Sequence, residues 1–193
     1  PVRLPEAEAI LNPHLLPEGH PASTLPGAGM AYKLVEALFE RAGRPGEAEA
    51  CLDLVALAIV ADVASQTGDC RYLLQRGLEQ LRQNRRLGLQ ALFELNELSP
   101  AGLNEETIGF LIGPCLNALG RLGDANSIVD FFTTRDFARA RVLALQLHSL
   151  NTERRLLTEQ VFKGALALIE RDPALLEEAA LVLAHPAWPG GGV

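Results

Sequence analysis

The chain has 193 residues, 48% of them hydrophobic and 21% charged, with seventeen basic against twenty-four acidic side chains and a formal net charge of −7. So apolar a composition excludes a disordered chain, and the length suits one ordinary domain or two small ones. The longest strongly apolar run, Leu54 to Ala61, stops at Asp62 and falls far short of the roughly 20 residues of a membrane helix.

Six of the twelve prolines fall within residues 1–26, which predicts an extended, turn-rich opening. Inside it, Ala9-Ile10-Leu11 reads as a short buried strand that ends at Asn12-Pro13-His14. After Gly27 the apolar residues Met30, Leu34, Leu38 and Phe39 recur at helical spacing as far as Gly43. A second helix is expected from about Gly46 to Ala64. From Cys51 onward it is apolar on every side, the pattern of a central helix packed over most of its surface. Further helices are predicted near 69–83, 86–98, 103–119 and 124–133, each bounded by Gly, Pro, Asn or Asp. The longest begins after Asp136, a suitable N-cap, and meets no stop before Asp172-Pro173. At 1.5 Å per residue its roughly 35 residues span about 50 Å, more than one small core covers, so it is expected to bridge two bodies. Leu181-Val182-Leu183 reads as a second short strand, near 180–184. The first residue is Pro1 and the last stretch is glycine-rich, and both ends read as cuts in a longer protein.

The charge is unevenly distributed. Residues 70–86 carry a net +4 and residues 135–155 a net +3, set between acidic blocks, and the only lysines are Lys33 and Lys163. Arginine-rich stripes suit bidentate grip on phosphate, and they equally suit helix faces that simply alternate in sign. Cys51, Cys70 and Cys115 are odd in number and widely spaced, which fits reduced thiols in a cytoplasmic protein.

Four groups of residues are candidates for chemistry. Asp62 closes an apolar helix; it is either a helix-end carboxylate facing water or one that is paired or binds metal. Asp53, nine residues earlier, points about 180° away and cannot share a site with it. Gly27-Ala28-Gly29 opens a helix, where backbone N–H groups suit an anion, although neither a dinucleotide fingerprint nor a P-loop is matched, and taken alone the pattern reads as helix packing. In Ile112-Gly113-Pro114-Cys115-Leu116-Asn117-Ala118-Leu119-Gly120-Arg121, the Asn, Gly and Arg near a helix end could approach a phosphate. His14, His20, His148 and His185 show no zinc spacing with any cysteine, and no nucleophile has a credible histidine partner, which excludes a zinc site and a serine or cysteine hydrolase.

Taken in order, these segments resemble the RecJ family of single-strand-specific DNA exonucleases, within the DHH phosphoesterase superfamily. Leu4-Pro5 with Ile10-Leu11-Asn12-Pro13-His14 is similar to the stretch after the family's Asp-His-His motif. Gly27-Ala28-Gly29-Met30-Ala31-Tyr32-Lys33 resembles its glycine-rich helix entry, and Asp53-Leu54-Val55 to Ala61-Asp62-Val63 its fourth acidic motif. Gly68-Asp69-Cys70-Arg71, the segment 112–121 and Leu150-Asn151-Thr152-Glu153-Arg154-Arg155 resemble later signatures, and His185-Pro186-Ala187-Trp188 the opening of a second, substrate-gripping domain.

The resemblance implies an α/β parent fold of DHH type, of which this segment is mainly α-helical with a few short strands and one long connector helix. It implies that residues 1–134 form the C-terminal part of the catalytic domain, 135–172 the connector and 173–193 the start of the second domain. The implied activity is 5′-to-3′ hydrolysis of single-stranded DNA in repair and recombination, in the bacterial cytoplasm, with two divalent metals, Mn2+ or Mg2+. Asp62 is implied as a catalytic metal ligand, and Gly27, Gly29, Asn117, Gly120, Arg121, Arg154 and Arg155 as DNA or phosphate contacts. The other metal-binding motifs would precede Pro1, so this segment alone is expected to be inactive. Cys115 stands where the family usually has Arg, and Ala58-Ile59 where it has Gly-Thr. The alternatives are a non-catalytic DNA- or protein-binding scaffold of the same fold, and a DHH phosphodiesterase acting on oligonucleotides or cyclic dinucleotides.

Overall fold

The structure, a computed structural model, describes residues 4–122 and 126–189, without the side chains of 119–122. Eight α-helices are described: α1 (Gly27–Arg41), α2 (Leu52–Ala61), α3 (Gly68–Arg82), α4 (Leu87–Leu95), the single turn α5 (Glu105–Thr107), α6 (Gly113–Leu122), α7 (Asn126–Thr133) and α8 (Phe137–Arg171). A π-helical turn, Ile108–Ile112, lies between α5 and α6. The chain divides into two compact units, one of Pro1–Arg85 with Glu97–Gly113, the other of Arg86–Asn96 with Pro114–Val193. No helix among the described residues is long and apolar enough to cross a membrane.

In the first unit α2 is the central helix, burying Leu52, Val55, Ala56, Leu57 and Ile59, as its all-round apolarity predicts. It is shorter than expected. Glu47–Cys51 forms a 3-10 turn entered through Gly46 at φ +89°, and the α-helix proper ends at Ala61. Helix α3 is amphipathic and buries Cys70, Leu73, Leu74, Gly77, Leu78 and Leu81 at three- and four-residue steps. Gly77 is the closest approach of α3 to α2: a Cβ there would stand 2.3 Å from the carbonyl oxygen of Leu52.

The helical run predicted over 103–119 begins at Asn104, whose Oδ1 accepts from the N–H of Thr107 at 2.9 Å, and widens into the π-turn just before Pro114. Pro114 has no N–H to close an α-turn on the carbonyl of Phe110, and a wider turn accommodates that loss.

The two expected strands do not form. No strand occurs among the described residues; Ile10 and Leu11 are 37% and 43% exposed and lead into a 3-10 turn, Pro13–Leu15, capped by Asn12. Residues 181–185 are likewise without regular structure, with Val182 94% exposed. A strand needs a neighbour for its N–H and C=O groups, and neither segment has a partner strand among the described residues.

In the second unit α4 packs against α7 and α8. Gly88 lets α4 meet α7 closely, since a Cβ on it would stand 2.1 Å from the carbonyl oxygen of Phe131. Helix α8 runs 35 residues, about 52 Å, and starts at the expected cap, where Asp136 Oδ1 accepts from the N–H of Ala138 at 2.9 Å. Its buried residues, Ala140, Leu143, Ala144 and Leu147, all lie in the first third. Farther along, the indole of Trp188 lies over Gly164, its Nε1 2.9 Å from where a Cβ would stand. Gly164→Leu is therefore expected to lift the tail off α8. Trp188 is the only tryptophan, so its emission should shift to the red, whereas Ala167→Leu on an exposed face of the same helix should leave it unchanged.

Candidate metal and nucleic-acid site

Asp62 sits at the C-cap of α2, and the way the helix stops determines how it is presented. The N–H of Val63 donates to the carbonyl of Val60 at 3.1 Å and that of Ala64 to Ile59 at 3.0 Å, a paired closure that requires a left-handed residue between them. Val63 fills that position at φ +51°, and Asp62 is left exposed at the helix end. A β-branched residue is strained in this region, where glycine is usual. Asp53, at the other end of α2, is buried and accepts from the N–H of Leu54 at 2.8 Å, so the two carboxylates are separate as expected. Among the described residues no group of three His, Cys, Asp or Glu side chains could hold a metal. Asp62 thus fits a metal site as one ligand and not as a complete set.

Gly27 and Gly29 occupy the first turn of α1, and no side chain caps that helix. Gly29 is buried and makes room for Leu25, whose Cβ would stand 3.1 Å from a Cβ added at Gly29. Gly27 instead lines a cavity of about 500 Å3 with Leu11, Pro13, His14, Leu25 and Met30.

The Arg-rich stripe at 70–86 is largely engaged within the protein. Arg71 pairs with Glu105 at 2.9 Å, Arg76 with Glu49 at 3.0 Å and Glu79 at 3.2 Å, and Arg82 donates through Nε and Nη2 to the carbonyl of Leu103 at 3.0 and 2.8 Å. Arg86 donates to the carbonyl of Phe132 at 3.1 Å. These arginines tie distant chain segments together, which favours the second of the two readings the sequence pattern left open, charged faces engaged within the protein.

The stripe at 135–155 is less occupied. Arg139 pairs with Asp130 at 2.7 Å, whereas Arg141 and Arg155 are exposed. Arg154 grips Asn151 through two bonds, Nε at 3.3 Å and Nη2 at 3.1 Å, both to Oδ1. The amide of Asn151 in turn donates to Cys115 Sγ at 3.3 Å. Burial pushes the Cys115 thiol up, more than the Asn151 bond and the charges of Arg154 and Arg155 pull it down. The structure so joins two motifs that lie 36 residues apart, and Asn151, a residue not among those expected to act, holds the link. Asn117 is exposed on α6, apart from that chain of bonds. Gly120 and Arg121 belong to the same helix, but their side chains lie outside the described residues.

No family model matches the chain. Among curated proteins, it is 34% identical to the single-stranded-DNA-specific exonuclease RecJ of Bacillus subtilis over 98% of its own length and 23% of that protein's. It is 38% identical to the RecJ of Dickeya dadantii over 98% of its length and 35% of the relative's. Among solved structures, exonuclease RecJ bound to manganese superposes with a TM-score of 0.81 at 32% identity, covering all of this chain and 47% of that one. RecJ of Thermus thermophilus in complex with Mn2+ gives 0.80 at 32% identity, covering 93% of this chain and 26% of that one. The chain spans about a quarter to a third of the length of the curated relatives it matches. Along nearly its whole length, this chain is the counterpart of one segment of the RecJ single-stranded-DNA-specific exonucleases.

Proposed function

We propose that the polypeptide carrying this segment is a metal-dependent 5′-to-3′ exonuclease of single-stranded DNA that acts in repair and recombination in the bacterial cytoplasm. The observation that carries the reading is the RecJ likeness along 98% of the chain, joined to an exposed carboxylate, Asp62, at the motif position where the family has an acidic ligand. The parent fold is α/β of DHH type. Residues 1–134 belong to its catalytic domain, 135–172 form the connector and 173–193 open the second domain.

Asp62 would be one ligand of a divalent metal, Mn2+ or Mg2+, and such ions supply Lewis-acid stabilisation of the charge that develops on the phosphoryl oxygens. The remaining ligands belong to other parts of the parent protein, so the 193-residue chain by itself is inactive. Arg154, oriented by Asn151, and Arg155, exposed beside it, hold the strand through its phosphates; Gly27, Gly29, Asn117, Gly120 and Arg121 are further candidate contacts. Cys115, seated where the family has Arg, leaves Arg154 and Arg155 as the cations of this cluster.

The test is digestion of 5′-labelled single-stranded DNA against duplex by the full polypeptide with Mn2+. Release of mononucleotides only from the single strand is the expected result, and equal inactivity on both would remove the reading. A companion measurement addresses the cations. Arg154→Glu with Arg155→Glu should weaken strand binding and flatten the slope of log affinity against log salt by about 1.4, at roughly 0.7 for each phosphate no longer neutralised. An unaltered slope would assign both arginines to ordinary helix surface.

A further inference from the structure

We propose that Cys115 is a positioning residue for strand binding: its sulfur accepts the amide N–H of Asn151, which turns the carbonyl oxygen of Asn151 to Arg154 and fixes that guanidinium with one edge left for a DNA phosphate. The inference rests on the exonuclease reading, in which Arg154 contacts the strand, and adds the group that anchors the arginine. The bonds that carry it lie within one unit, between α6 and the middle of α8, and join buried or half-buried side chains. Asn151 and Arg154 stand three residues apart on one face of α8. Asn151 donates through Nδ2 to Cys115 Sγ at 3.3 Å, and Arg154 donates through Nε and Nη2 to Asn151 Oδ1 at 3.3 and 3.1 Å. A guanidinium has donors only, so Oδ1 faces Arg154 and the NH2 group faces α6, where it needs an acceptor. Cys115 is 1% exposed, so its sulfur, not water, supplies that acceptor.

The chemistry of the anchor decides what Arg154 can do. Burial pushes the Cys115 thiol up, so the sulfur is neutral near neutral pH and accepts the amide without cancelling the charge of Arg154 or Arg155. An anion in its place would attract a guanidinium and withdraw it from phosphate. The arginine usual in the family at this position has donors only and could bond Asn151 only through Oδ1, in competition with Arg154. Cysteine thus assigns Asn151 to Arg154 alone. With Nε and one Nη2 hydrogen engaged, Nη1 and the other Nη2 hydrogen form the fork that fits two oxygens of one phosphate. A long side chain ordered beforehand loses less freedom when the strand binds.

The test measures binding of oligo-deoxythymidine to the full polypeptide, with a chelator to prevent cleavage. Cys115→Val removes the acceptor at similar volume and should bind roughly two- to tenfold more weakly, the cost of ordering one long side chain on binding. Its slope of log affinity against log salt should not change, since the same phosphates stay neutralised. Cys115→Ser, whose hydroxyl oxygen accepts the same amide, should bind as the wild type does. Asn151→Ala should match Cys115→Val, and the two together should be no weaker than either alone, because both break one chain of bonds. Asn151→Asp should flatten the salt slope by about 0.7, since its carboxylate neutralises Arg154 without removing it. Mere packing of α6 on α8 would shift the melting temperature and leave that slope unaltered. The Asn151 variants carry the test alone if Cys115→Val does not fold. Wild-type affinity in Asn151→Ala, or an unaltered slope in Asn151→Asp, would overturn the positioning role, provided that Arg154→Gln still weakens binding. Normal binding by Arg154→Gln, or no binding by the unsubstituted polypeptide, would instead remove the underlying reading and the positioning role together.

Discussion

Asp62→Ala in the full polypeptide is expected to lower Mn2+-dependent hydrolysis of single-stranded DNA by at least about a thousandfold, because several kcal/mol of transition-state charge stabilisation disappears with a metal ligand. The fold should survive the change: the side chain is exposed at a helix end, and the helix is closed by backbone bonds from Val63 and Ala64 that Ala at 62 does not touch. Loss of activity with an unchanged melting temperature, and with reduced Mn2+ stoichiometry in a titration followed by electron paramagnetic resonance, is the expected combination. Wild-type turnover would leave Asp62 as a helix-end carboxylate facing water. Asp62→Asn is a stricter version, since it keeps the shape and one oxygen while removing the charge.

Gly77→Ala is expected to destabilise the first unit by about 3 kcal/mol, at the upper end of the overpacking range. The added methyl carbon would stand 2.3 Å from the carbonyl oxygen of Leu52 and 2.7 Å from Ala56 Cβ, both on α2. Neither atom is the far end of a flexible side chain, so α2 and α3 must move apart. Ala56 and Leu74, almost fully buried on these two helices, would then be less well packed. Alanine's better helix propensity returns only about 1 kcal/mol. Urea unfolding followed by circular dichroism measures the difference, and Gly27→Ala is the control, because a Cβ there meets nothing within 4 Å. Equal stability of both variants would show that α2 and α3 are less tightly engaged than their geometry indicates.

Asp62 and the Arg154-Arg155 pair stand out in the sequence as candidates because each belongs to a local pattern, an acid closing an apolar run and a basic patch interrupting a helix. Asn151 was visible only as part of a motif. Its role as the link between Arg154 and Cys115 required two segments 36 residues apart to meet. The Arg stripe at 70–86 shows the converse. Its composition suggested phosphate, and the partners that occupy it, Glu49, Leu103 and Glu105, lie 21 to 34 residues away.

The amino-acid order by itself determined the helices whose signals are local: the start of α1 at Gly27, the amphipathic stripe of α3, and α8 from its Asp136 cap to Arg171. Helical bonds join residues four apart, so a short window contains everything they need. Tertiary structure decided what depends on a distant partner. Ile10-Leu11 and Leu181-Val182 have strand composition and find no strand partner among the described residues, because β-pairing draws its bonds from another segment. The left-handed Val63 and the π-turn before Pro114 also defeat local rules, since a valine and a helical periodicity argue against both. The length and charge divide along the same line. Composition set an apolar, acidic, helical chain, and the contacts within each unit decided which arginines remain exposed.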